Sequence, residues 1–340
     1  VKNIPGITLE EVNAAAKKLI TDNNRVIVVN APDKENISIP SEDELLALVD
    51  QVEQSDISPY ADRVVKTKLL ENIPQKGSII EEKKIKEIDV TELKLSNGIR
   101  VVLKSTDFKN DEILMSAFSP GGHSLYPDED HQSAINADGV IEESGVSGFS
   151  VSDLSKLLAG KTVSVSPSIG YYFEGLGGSS SPDDLESMFK LIYLYFTDPR
   201  EDTSSFLSFI NKQKGLYKNL LSDPMQFYFD QYRRIRNNHH PRAPKIPSEE
   251  DFEKIDFNKT IDIYKDRFAD ASDFTFFFVG AFNADSITPL IETYLGSLPD
   301  IERKEVWKDL NIRTPEGKVE KVVKKGMDPK SYVAVYFDKK

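Results

Sequence analysis

Hydrophobic positions along the chain change period repeatedly, and each change marks an element. In TLEEVNAAAKKLI the apolar residues recur at helical spacing, and Thr8 followed by Glu11 forms a capping-box start. RVIVVNAP follows at once as a β-rich run, then SEDELLALVDQVE as a second helix. The same order returns far downstream, with DFNKTIDIYKDRF as helix, ASDFTFFFVGAF as a strongly apolar strand and NADSITPLIETYL as helix. This internal repeat predicts that the helix at 9–20 and the strand at 25–30 hold the same places as those at 257–268 and 273–279. Residues 1–60 are therefore expected to be the tail end of a preceding α/β domain.

Residues 61–92 are charged and poorly periodic, which suits an extended linker. A complete domain is expected over 93–299. It opens with TELKLSNGIRVVLK, two strand-like runs joined by Asn97-Gly98, a dipeptide that suits a type I′ hairpin turn. EILMSAFSPGG continues as a strand ending at Pro120-Gly121-Gly122. Helices are expected at about 132–144 and 152–159, the second stopped by Gly160. KTVSVSPSIGYYFEGLGGSS supplies two more strands, and PDDLESMFKLIYLYF, SSFLSFINKQKGLYKNLL and PMQFYFDQYRRIR three long helices. The fold class is α/β (α+β), an antiparallel-rich sheet with helices packed on one face. Phe274, Phe276, Phe277 and Phe278 read as a buried central strand, and Tyr171 and Tyr172 as residues packed across the sheet or facing a peptide. Residues 300–340 read as a second linker and the first strand, SYVAVYFDKK, of a following domain. That strand has no sheet of its own, so it is expected to be poorly ordered or to borrow an edge.

Composition narrows the function. With 39% hydrophobic and 29% charged residues the 340-residue chain is ordinary for globular protein, and its length suits about two domains. A net charge of -13 argues against a nucleic-acid partner, which needs a concentrated basic surface. No apolar run reaches membrane-spanning length. The absence of Cys excludes disulfides, thiolate zinc sites and cysteine nucleophiles. The start, VKNIPGITLEEV, has neither a basic nor an apolar leader segment and reads as a cut inside a longer protein.

Candidate chemistry is sparse. INADGVIEESGVSGFS places Glu142 and Glu143 on a short helix, with His131 eleven residues before Glu142. Adjacent acids on a helix diverge by about 100° and cannot chelate one ion. On one continuous helix His131 would lie about 16 Å from Glu142, too far to share a metal. His239 and His240 stand side by side in a loop without an acidic neighbour. EGLGGSSSPDD outlines a phosphate loop but lacks the Lys-Ser/Thr pair, and Asp183 and Asp184 would repel a phosphate there. Ser181 as N-cap and Pro182 at the first helical position explain it structurally. SGVSGFS misses the nucleophile elbow because Phe149 replaces its last glycine.

Taken in order, LSNGIRVVLK, FSPGGHSL, LAGKTVSVSPSI, SSSPDDLESMFKLIYLYFT and YKDRFADASDFTFFFVGAFNADSITPLIETYLGSLP resemble the pitrilysin (insulinase-like) zinc metallopeptidases, most nearly the bacterial long-chain members. The resemblance implies two related α/β domains in each half of a long polypeptide. It also implies a zinc site built from H-x-x-E-H on one helix and a further Glu on a later helix. Here the equivalent helix, Ala137 to Glu143, has no His. The later helix, Ser204 to Leu221, has no acid and carries Gln213, Lys214 and Lys218. The chain is therefore expected to hold no catalytic, cofactor-binding or metal-binding residue. Zinc is expected in an N-terminal catalytic half of the parent, which would be this chain's partner, with a peptide or small unfolded protein as substrate. The resemblance further implies a periplasmic or otherwise exported parent, in which this portion walls a peptide-enclosing chamber. A noncatalytic binding or assembly protein of the same fold is the alternative.

Overall fold

The computed structural model describes residues 6–19, 23–31, 37–56, 58 and 68–337. The first part of the expected linker, 61–67, and the last three residues of the expected terminal strand, 338–340, lie outside the described residues. The chain divides into two compact units, Val1–Arg63 and Val64–Lys340. In the first unit, α1 (Leu9–Leu19) and α2 (Glu42–Glu53) contain no buried residue. Thr8 and Glu11 close the expected capping box, with the Glu11 amide on Thr8 Oγ1 at 3.2 Å and the Thr8 amide on Glu11 Oε2 at 2.9 Å. Residues 25–31 are not a strand, contrary to the repeat expectation. A strand is defined by its ladder, and among the described residues no second strand lies beside this run, so its β-branched pattern has nothing to pair with.

The second unit is built on one seven-stranded sheet, with spatial order β1-β2-β3-β7-β4-β6-β5. Its strands are β1 (Ile79–Ile85), β2 (Val90–Leu95), β3 (Arg100–Ser105), β4 (Ile113–Pro120), β5 (Val163–Ile169), β6 (Phe173–Ser180) and β7 (Thr275–Gly280). Only β3 with β7 is parallel; every other pair is antiparallel. The expected linker at 61–92 is thus corrected over its last part, where β1 pairs with β2 and extends the sheet. Its charged residues are tolerated because β1 is an edge strand with exposed faces, and the absence of an apolar alternation hid it. The hairpin at Asn97-Gly98 is also not type I′. Gly98 has φ +91° and Asn97 is not left-handed, while the Gly98 amide bonds Leu95 O at 3.0 Å and the Leu95 amide bonds Ile99 O at 2.9 Å. This is a type I turn followed by a left-handed glycine. It leaves the Asn97 side-chain amide free to donate to Leu295 O and Leu298 O at 2.9 and 3.1 Å, tying the hairpin to the end of the chain's last helical segment.

Helices lie on one face of this sheet and along its end. They are α3 (His131–Ala134), α4 (Ala137–Ser144), α5 (Val151–Leu157), α6 (Leu185–Thr197), α7 (Thr203–Tyr217), α8 (Pro224–Arg236), α9 (Glu249–Glu253), α10 (Phe257–Arg267) and α11 (Ala284–Leu290). The single helix expected at 132–144 is two, α3 and α4, because the chain turns at Ile135-Asn136. Pro289 inside α11 lacks the amide needed for regular bonding, and a π-turn follows over Ile291–Leu295. The core lies between α6, α10 and the inner face of the sheet. Phe189 stacks on Phe278 at 5.1 Å between ring centroids, and Phe196 meets Phe268 and Phe274 edge-on at 5.2 and 5.0 Å. Fully burying each such ring contributes about 2–3 kcal/mol.

The final expectation, a strand at 331–337, is corrected as well. The segment has no ladder. Instead Tyr332 lies 5.0 Å from the Tyr228 ring, and Tyr336 stacks 4.1 Å from Tyr232, both on α8. Two tyrosines four residues apart match one helix face, and that contact takes the place of strand pairing.

Candidate functional site

Three places in the second unit can be weighed as sites. The first is the pair of helices α4 and α7, which the family resemblance marks as the place for zinc. Each acid of α4 already has a protein partner. Asp138 accepts the amides of Ile169 at 2.9 Å and Gly139 at 2.8 Å, and burial raises its pKa. Glu142 accepts the Ser166 hydroxyl at 2.7 Å. Glu143 pairs with Lys212 of α7 at 3.0 Å. A lysine ammonium therefore joins the two helices where a metal would be needed, and a cation at that spot repels a divalent ion. Among the described residues no three His, Cys, Asp or Glu side chains cluster as metal ligands. The residues present do not fit zinc.

His131 is on α3, away from Glu142. Its ring lies 5.5 Å from that of His123, and both are buried. Burial pulls the His123 pKa down to about 3 and that of His131 down to about 4; proximity to Arg242 adds to both. Neutral buried imidazoles of this kind suit packing better than proton transfer at neutral pH. The phosphate-loop outline is structural too. Ser181 Oγ accepts the Asp184 amide at 3.2 Å, and Asp184 accepts the Thr162 amide at 2.8 Å. Three of its glycines, Gly175, Gly177 and Gly178, lie within β6 rather than in a turn. In SGVSGFS, Ser150 caps α5 by accepting the Asp153 amide at 3.2 Å.

The second place is the outer face of the sheet, which no described helix of this unit covers. Phe277 lies there, not in the core, because side chains alternate along β7 and only Phe276 and Phe278 point inward. Phe118 stacks on Phe277 at 5.8 Å, and Phe173 meets Phe118 edge-on at 5.9 Å. Leu114 and Val279 extend this apolar ridge, both exposed. Beside it runs a lower strip, Gly175 and Gly177 of β6, with Ser164, Ser166 and Ser168 of β5 along its rim. The β5 edge itself is blunted: Pro167 has no amide to donate, and Asp138 occupies that of Ile169.

The third place is the turn Pro120-Gly121-Gly122, where residues 300–308 cross the domain. Gly122 has φ +58°, and a Cβ there would come within 2.3 Å of Gly170 O, so only glycine fits. The Gly122 amide donates to Glu174 Oε2 at 2.5 Å. Arg267, buried, sits 3.7 Å from Glu174 and forks onto Glu305 of the crossing segment at 2.8 and 3.1 Å. Asp266 takes a third guanidinium contact at 2.8 Å and the Tyr126 hydroxyl donates to the same carboxylate at 2.5 Å. Asp270 accepts the amides of Ile301 at 3.3 Å and Arg303 at 2.5 Å. Trp307 packs on Tyr172 at 4.9 Å, and the Lys308 amide donates to Ser124 Oγ at 2.9 Å. The expected second linker is therefore, over 300–308, a strap bolted to the domain. Tyr171, by contrast, packs on His123 at 4.5 Å and donates to Arg242 O at 2.9 Å. Sequence reasoning missed the strap's anchors because Glu174, Arg267 and Glu305 are far apart in the chain and carry no shared motif.

Residues 254–340 match the family profile described as the Peptidase M16 inactive domain. In this the chain is similar to the noncatalytic part of the pitrilysin-type zinc peptidases. It is 27% identical over 302 residues to the zinc protease PQQL-like protein of Arabidopsis thaliana, covering 87% of this chain and 28% of that protein. It is 22% identical to the probable zinc protease PqqL of Haemophilus influenzae, over 76% of this chain and 28% of the relative. Among solved structures, the periplasmic protease PqqL of Escherichia coli superposes with a TM-score of 0.62 at 22% identity, over 81% of this chain and 30% of that one. The ferredoxin protease FusC, solved in complex with Arabidopsis ferredoxin, gives 0.60 at 20% identity, over 80% of this chain and 30% of that one. The chain thus spans less than a third of the length of these relatives. None of its described helices is long and apolar enough to cross a membrane.

Proposed function

We propose that this chain forms part of the wall of a peptide-enclosing chamber in a pitrilysin-type zinc endopeptidase. The catalytic zinc would be held by an N-terminal half bearing H-x-x-E-H, which is the partner of this portion, and the parent would be exported. The observation that carries this reading is the contrast between α4–α7, closed by Glu143 and Lys212, and the outer sheet face, where Leu114, Phe118, Phe173, Phe277 and Val279 stay uncovered. Exposed contiguous apolar surface of this kind marks a binding face, here one suited to extended peptide with aromatic or aliphatic side chains. The periplasmic description of the Escherichia coli neighbour and the zinc-protease names of the relatives support the compartment and the chemistry. Each of the five bounded parts, 1–60, 61–92, 93–299 and the two pieces of 300–340, is read as a segment of one longer polypeptide, subject to the corrections at β1 and the strap.

The test is Phe118→Asp in a reconstituted enzyme containing both halves. The substitution lies on the uncovered face, so the melting temperature should hold. KM for an unstructured peptide should rise several-fold, with kcat much less affected, as expected when ground-state and transition-state contacts are lost together. Unchanged KM would remove the sheet face from the binding surface. A full-length parent without H-x-x-E-H or peptidase activity would instead establish the noncatalytic binding or assembly role.

A further inference from the structure

A cavity of about 140 Å³ opens beside the loop that follows α8, lined by Arg234, His239, His240, Pro241, Ala243, Pro244 and Lys245. Four of these seven side chains are basic types and none is acidic, in a chain of net charge -13. Arg234 is held through Nε by Asp230 at 2.6 Å, and Lys245 by Asp251 at 2.7 Å. Neither carboxylate lines the cavity, so each fixes its cation from behind while leaving further donors on the guanidinium and ammonium. His240 Nδ1 accepts the Arg242 amide at 3.3 Å, which in the neutral ring places the proton on Nε2 and makes that atom a donor.

The loop is also held in shape before any ligand arrives. Asn238 and His239 are both left-handed, with φ of 50° and 56°, an arrangement that costs free energy and persists only where its surroundings enforce it. The enforcement is visible. Arg242, buried, donates to His123 O at 2.7 Å and Tyr126 O at 3.1 Å, so the loop is pinned to the rest of the domain. Tyr171 donates to Arg242 O at 2.9 Å, and the Ile246 amide donates to the buried Asp230 at 2.8 Å. The His239 amide closes back on Arg234 O at 2.7 Å. A rigid concave site of fork-shaped and point-charge donors is what oxyanion binding requires, since preorganised donors lose little entropy on binding.

We propose that this cavity binds a small oxyanion, a carboxylate or a phosphate group, through Arg234, Lys245 and the two histidines. The site lies apart from α4–α7 and from the outer sheet face, and its existence does not depend on the chamber reading. The chemistry shared by the two ligand sources is a compact group with two or more negatively charged oxygens, small enough for the cavity.

The experiment titrates inorganic phosphate, and separately acetate, into the whole chain at low ionic strength, following the imidazole resonances of His239 and His240. Saturable shifts with a millimolar dissociation constant are expected, weakening as salt screens the charges. Lys245→Gln should weaken binding about tenfold, and Arg234→Gln by a similar factor, each corresponding to one charge-assisted hydrogen bond. Lys245→Gln guards against a trivial result, because Asp251 keeps its Ser248 contacts without the lysine and an unchanged melting temperature checks that the fold is retained. Saturation by phosphate without competition from acetate assigns a tetrahedral ligand; saturation by acetate with little response to phosphate assigns a carboxylate, and equal competition assigns a site that takes either. Absence of saturable shifts with both anions overturns the proposal, as does binding that is unaltered in Lys245→Gln.

Discussion

At the residue scale the most informative side chain is Glu174. Burial pushes its pKa up to about 7, with Glu305 and Asp273 adding repulsion, while the Gly122 amide and Arg267 oppose the rise. An acid whose folded pKa exceeds its unfolded value holds its proton more tightly in the folded chain. Its contribution is therefore greatest below the unfolded value, near 4.5, and falls as pH rises towards 7. The fall amounts to a few kcal/mol at most, at about 1.4 kcal/mol per pH unit. Glu174→Gln keeps an acceptor for Gly122 and removes the titration. The stability gap between wild type and this variant, from urea unfolding at several pH values, should change steadily between about pH 5 and 7 and then flatten. A gap independent of pH would mean that Glu174 is ionised throughout. His123 and His131 act in the opposite sense, since their lowered pKa values cost stability as pH falls below the ordinary histidine range.

At the element scale, what local pattern encodes was legible and what distant partners decide was not. The helices α6, α7 and α8 lie where the 3.6-residue period of PDDLESMFKLIYLYF and its successors places them, and Ser181 caps as its side chain dictates. The missing ligands of α4 could be read directly, because a histidine is either present in a helix or not. The lysine that takes their place could not, since Lys212 meets Glu143 only when α7 packs on α4. The same applies to β1, whose charged sequence becomes a strand only through its neighbour β2, and to RVIVVNAP and SYVAVYF, whose strand-like patterns find no ladder. Phe277 was misplaced because a run of phenylalanines looks equally buried on both sides until one face of the sheet proves uncovered. The strap was hidden for a different reason: a charged, aperiodic run looks like a linker, yet its Glu305 and Trp307 match groups more than thirty residues away. Glu305→Ala should leave Arg267 buried with one carboxylate fewer, costing about 1–3 kcal/mol locally. Hydrogen exchange at 300–308 should then speed up while β7 remains protected. Equal protection in the variant would show that the strap does not depend on the Arg267 fork.

At the scale of the whole molecule, the second unit keeps a pitrilysin-type frame while the acids of α4, where the resemblance places zinc, are paired within the protein. The inner sheet face and α6 supply the core, the acids of α4 are tied to β5 and α7, and the strap fixes the path of the chain after Pro299. Among the described residues of this unit, the sheet face around Phe118 and Phe277 and the basic cavity after α8 are both open, and each carries a proposal above. The central proposal is that this portion carries no catalytic zinc of its own and walls the chamber of a longer enzyme, and metal content tests it most directly. Elemental analysis of the purified chain, freed of any purification tag and assayed in parallel with a fluorogenic peptide, should find no stoichiometric zinc and no cleavage. One tightly bound zinc per chain, accompanied by peptide hydrolysis that chelation abolishes, would contradict it.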